Sequence, residues 1–69
     1  MTNCEELREA IDKSGLKMGF IAANIGVSPA TMTNKVSGRT EFTASEIAKM
    51  SDLLKLTRQQ RDKIFLSTE

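Results

Sequence analysis

A single cysteine and no histidine leave this chain of 69 residues without a covalent or metal staple. Cys4 alone cannot make an internal disulfide, and one Cys without His is a poor basis for a structural zinc site. A chain this short lies near the lower limit for folding alone. Its stability must therefore come from helix packing, from a partner chain or from both. The Val, Ile, Tyr and Trp alternation of strands is missing, whereas helix start and stop signals recur throughout. The expectation is one all-α domain over residues 1–69, with no repeat, low-complexity tract or linker. No apolar run approaches a membrane span, and the N-terminal MTNCEELREA is too polar and acidic for a signal peptide. A cytoplasmic protein with no membrane association is expected.

The punctuation predicts five helices. Helix 1 should run from about Asn3 to Ser14, with Thr2-x-x-Glu5 and Asn3-x-x-Glu6 as alternative capping boxes. Cys4, Leu7 and Ile11 form its buried stripe, and Gly15 suits the left-handed residue after a helix end. Helix 2 should span about Lys17 to Ile25, burying Phe20, Ile21 and Ile25, with Ala22 as a small residue and Gly26 as the stop. Helix 3 begins after Ser28, a strong N-cap, with Pro29 at its first position. It reaches about Ser37 and stops at Gly38, and only Met32 and Val36 give it an apolar seam. Helix 4 starts at the capping box Thr43-x-x-Glu46, where Phe42 can staple onto Ile47, and buries Ile47, Met50, Leu53 and Leu54. Helix 5 follows Thr57-x-x-Gln60 and carries Ile64, Phe65 and Leu66. Three consecutive apolar residues cannot all face one core, so these three are expected at a homodimer surface. The other arrangement folds helix 5 back over helix 1 in a monomer.

Charge is unevenly spread. Residues 1–14 sum to −2, residues 15–40 to +3 with no acid at all, and residues 41–69 balance five acids against five bases. A middle segment without carboxylates suits a polyanion, although three charges are equally compatible with an ordinary polar surface.

That middle segment has a specific form. A short helix ends at Gly26, two residues pass, and a Ser-capped helix begins, with a small residue (Ala22) four before the glycine. This is the helix-turn-helix arrangement, whose second helix is offered to the DNA major groove. With Met32 and Val36 turned inward, Ala30, Thr31, Asn34 and Ser37 point away, and Thr33 and Lys35 lie on the flanks. Every outward residue is small or polar, and none is acidic.

The segment Leu16 to Gly38 (LKMGFIAANIGVSPATMTNKVSG) resembles the helix-turn-helix of the phage-repressor/Cro family, also called the Xre family. Ile21-Ala22, Ile25-Gly26-Val27-Ser28 and Gly38 carry the match, and the flanking helices extend it over about residues 3 to 66. Asn34-Lys35-Val36-Ser37-Gly38 and Thr43-Ala44-Ser45-Glu46-Ile47 are reminiscent of small phage-type transcriptional regulators of Gram-positive bacteria. The resemblance implies a compact five-helix, lambda-repressor-like fold and a repressor or Cro-type regulator. A lone domain this small buries too little site for strong specificity, so a palindromic double-stranded DNA operator bound by a homodimer is the expected partner, with a monomer as the other arrangement. Met18 departs from the family, which often has a phosphate-bridging Gln at that position. Either Lys17 supplies the phosphate contact or the clamp is absent, and Met18 then simply fills a gap.

Asn34 is the first candidate for reading a base, since its amide can pair bidentately with adenine. Ala30 and Pro29 can make apolar contact with a thymine methyl, and Pro29 is equally explained as a helix-start residue. Thr31 and Thr33 can meet phosphate or base edges. Lys17, Lys35 and Arg39 are backbone-contact candidates, joined by Ser28 at a helix N-terminus and by Thr40, which follows Arg39 out of the recognition helix. Cys4 reads as a small apolar residue rather than a reactive thiol. Catalytic, metal-binding and cofactor roles find no residues here: there is no His, no acid cluster and no phosphate loop, and so small a chain has little room for a ligand pocket. The second functional class is a helix-turn-helix protein-interaction module, an adaptor or antitoxin component without specific DNA binding.

Overall fold

The computed structural model describes residues 2–66. They form α1 (Cys4–Ser14), α2 (Met18–Ile25), α3 (Pro29–Val36), α4 (Ala44–Leu53) and α5 (Arg58–Phe65), with no strand among the described residues. Four of the five starts are side-chain caps. Asn3, Ser28, Thr43 and Thr57 each accept a hydrogen bond from the N–H three residues on. Of the two candidate caps for α1, Asn3 is therefore the one used. At α4 and α5 the box is reciprocal, because Glu46 and Gln60 accept in turn from the backbone N–H of Thr43 and Thr57. Only α2 begins without a side-chain cap, at Lys17.

The helix ends are equally local. α3 closes at Gly38, φ +88°, where the N–H groups of Gly38 and Arg39 return to the carbonyls of Lys35 and Asn34. The positive φ favours glycine here, and a Cβ at Gly38 would also press on Cys4 Sγ at 3.1 Å. α4 closes in the same pattern without a glycine. Lys55 takes φ +55°, and the N–H groups of Lys55 and Leu56 return to Asp52 and Ser51.

The helices enclose one core of Leu7, Ile11, Ile21, Ala22, Ile25, Met32, Val36, Phe42, Met50, Ile64 and Phe65. α2 packs on α3 and α4, α1 on α3 and α5, and α4 on α5. Phe42 and Phe65 meet edge to face, ring centroids 5.3 Å apart at 78°. The two ends of the fold are tied by Asn3 N–H, which donates to the Ile64 carbonyl at 2.6 Å.

Two expectations change here. Phe20 was expected in the core of α2, but it is 52% exposed. Ile21, Ala22 and Ile25 already fill the inward arc, and a helix cannot turn Phe20 inward as well. Ile64 and Phe65 were expected at a dimer surface, but both are core residues, α5 being folded onto α1 and α4. Of that trio only Leu66 points outward, at 56% exposure.

Candidate nucleic-acid interface

Gly26, Val27 and Ser28 separate α2 from α3. The N–H groups of Gly26 and Val27 both return to the Ala22 carbonyl at 3.0 Å, which ends α2 sharply. Ser28 then caps α3, its Oγ accepting from Thr31 N–H at 3.2 Å. The turn is thus fixed by backbone hydrogen bonds on one side and a side-chain cap on the other. Met32 and Val36 anchor α3 in the core.

The remaining face of α3 is exposed, and it brings together Pro29, Ala30, Thr31, Thr33 and Asn34. Their hydrogen-bonding capacities differ. Thr33 Oγ1 donates to the Pro29 carbonyl at 3.0 Å, which occupies its only proton. Thr31 Oγ1 accepts from Ser28 Oγ at 3.0 Å and keeps its own proton. The Asn34 amide makes no hydrogen bond to any described residue, while its backbone carbonyl accepts from Ser37 Oγ and from Arg39 N–H. Ser28, Lys17, Arg39 and Thr40 are also exposed.

Lys35 is a correction. Expected as a phosphate contact on the flank of α3, it is only 8% exposed. Its Nζ lies 2.9 Å from Glu46 Oε1, donates to the Glu41 carbonyl at 3.0 Å, and sits 5.6 Å from the centre of the Phe42 ring. The ammonium is neutralised inside the fold and cannot also meet a phosphate. Glu46 is the residue that sequence reasoning missed. It was read only as a capping residue, and nothing local in the sequence links it to Lys35 eleven positions earlier. Desolvation pushes its carboxyl up, but the Thr43 backbone N–H, the Lys35 ammonium and the Thr43 hydroxyl together pull it below its ordinary value.

An open groove of about 730 Å³ lies along α1, reaching the start of α2 and the end of α3. It is a depression open to solvent and not an enclosed ligand cavity. Glu5, Glu6, Glu9, Asp12 and Arg8 of α1 line it, with Ile11, Met18 and Val36 as its apolar lining. Met18 and Val36 share this lining, so the start of α2 and the end of α3 border the same groove, with the acids of α1 next to them. Met18 also packs against the core, as a gap-filling residue would.

Comparison with protein-family models, with curated proteins and with solved structures returns no match.

Proposed function

We propose that this chain is a sequence-specific double-stranded-DNA-binding protein of the phage-repressor/Cro type, with α3 in the major groove. One observation carries the reading. α3 is held to the core by Met32 and Val36, and it offers solvent a face of Pro29, Ala30, Thr31, Thr33 and Asn34 without a single acid. A helix that only covered a core has no need to exclude carboxylates, whereas one entering an anionic groove does. Asn34 reads a base, Ala30 and Pro29 touch thymine methyls, and Thr31 and Thr33 serve base or phosphate. Lys17, Ser28, Arg39 and Thr40 hold the backbone and set register. Lys17 is helped by the uncapped N–H groups at the start of α2.

The reading gives the chain no catalytic residue and no cofactor, and places it in the cytoplasm with its DNA. No helix among the described residues is long and apolar enough to cross a membrane. Five side chains read too short a site for strong discrimination, so the operator is palindromic and two copies occupy it. Leu66 is what remains of the surface expected to join them.

The acidic groove favours a second reading, a helix-turn-helix module that grips a basic protein segment instead of DNA. Selection from random duplexes separates the two, using wild type and Asn34→Ala at several salt concentrations. The DNA reading expects a motif, binding that weakens as salt rises, and one base position relaxed in Asn34→Ala. Weak, salt-labile binding without a motif overturns it. Symmetry of the motif, checked by ultracentrifugation on and off DNA, reports the copy number.

A further inference from the structure

We infer that the bases met by α3 are A·T pairs and that this helix lacks the strong partner for guanine. The inference rests on the DNA-binding reading and specifies its substrate.

In the major groove guanine presents two acceptors, N7 and O6, and its strong partner is a cation with two donors. The α3 sequence PATMTNKV contains one cation, Lys35. Its ammonium is held by Glu46 at 2.9 Å and by the Glu41 carbonyl at 3.0 Å, over the Phe42 ring. The sequence offered Lys35 as a phosphate contact, and the fold withdraws its ammonium from the exposed face altogether. Cytosine presents an N4 donor best met by Asp or Glu, and α3 has neither. Both halves of a G·C pair therefore lack their strong partners.

Both halves of an A·T pair have theirs. Adenine shows one acceptor and one donor, N7 and N6, which matches the single donor and acceptor edge of an amide. Asn34 carries that amide, exposed and without a partner among the described residues. Thymine shows a methyl group and the O4 acceptor. Ala30 and the γ-methyls of Thr31 and Thr33 supply apolar contact, and the free Thr31 proton can reach O4. Thr33 has already given its proton to Pro29 at 3.0 Å, so it contributes a methyl and an acceptor but no donor.

The test uses the selected motif from random duplexes and the position that Asn34→Ala relaxes. That position is expected to be adenine, and placing guanine there should weaken wild-type binding about five- to a hundred-fold. Deoxyuridine in place of thymidine at the neighbouring positions removes one methyl without changing the pairing, and should weaken binding about three- to fivefold per methyl. Asn34→Arg, an exposed change that leaves the core alone, should turn the adenine preference into guanine. Guanine at the Asn34 position in wild type, or no response to deoxyuridine, overturns the inference and leaves DNA binding standing. Absence of any motif removes DNA binding and overturns the inference with it.

Discussion

Lys35 and Glu46 hold a charge pair inside the fold, with side chains 10% and 14% exposed. A pair so placed contributes little net stability, but breaking it strands a charge. Lys35→Ala should therefore cost about 2–4 kcal/mol in urea denaturation, and Lys35→Met with Glu46→Gln less than half of that. The pH dependence follows from the same contact. The Glu46 carboxyl lies below its ordinary value of 4.5 in the folded state, so there the unfolded chain binds more protons. Its contribution is fully present above the unfolded value and is lost as pH falls through the folded one. Glu46→Gln should flatten the acid limb of a stability-against-pH curve, and an unchanged limb would reject this account. None of this was legible in the sequence, because Lys35 resembles any surface lysine until α4 is packed beside it. Asn34 and Ala30 were legible, since a solvent-facing side chain needs only the helix and its inward seam to be placed. Lys55 is the other surprise. Its φ of +55° costs an L-residue about 1–2 kcal/mol, part of which Gly would recover, so Lys55→Gly should stabilise by about 0.5–1 kcal/mol.

The elements were the most legible level, because their boundaries are set by groups only three or four residues apart. Asn3, Ser28, Thr43 and Thr57 act as caps in the structure as their spacing predicts. What local signals could not supply was the choice of face. Phe20 is apolar yet turned out, and Ile64 and Phe65 are turned in, because neighbouring helices and not their own sequence decide the inward arc. The caps also differ in what they are wired to. Among the described residues the α5 box involves only Thr57 and Gln60, whereas the α4 box shares Glu46 with Lys35 of α3. Thr57→Ala and Thr43→Ala should each cost about 1 kcal/mol by loss of the cap. Combined with Lys35→Met, the Thr57 change should add within about 0.5 kcal/mol, and the Thr43 change should not. Equal additivity in both cycles would show that the capping box and the ion pair act independently.

At the scale of the molecule the charges matter through their arrangement. The described fold measures 27 × 23 × 20 Å. At an ionic strength of about 0.01 M the screening length is about 30 Å, so a phosphate backbone at α3 feels every exposed charge of the protein. At about 0.15 M that length falls to about 8 Å, and only the groups beside the interface count. In the DNA-binding reading Lys17 and Arg39 would attract the backbone, while exposed Glu5, Glu9 and Asp12 line the groove that the start of α2 and the end of α3 share. In that reading these acids would oppose non-specific binding and leave discrimination to α3. Replacing all three by their amides would take residues 1–14 from −2 to +1. For a DNA-binding protein, the triple variant should bind both the operator and unrelated duplex about three- to tenfold more tightly at low salt, and rejoin wild type as salt rises. Fluorescence anisotropy across a salt series reads both effects. A protein-interaction module predicts the reverse: the amides would abolish capture of a basic peptide and leave any weak DNA binding without a motif. The same three carboxylates thus separate the two functions, because they repel one partner and would hold the other.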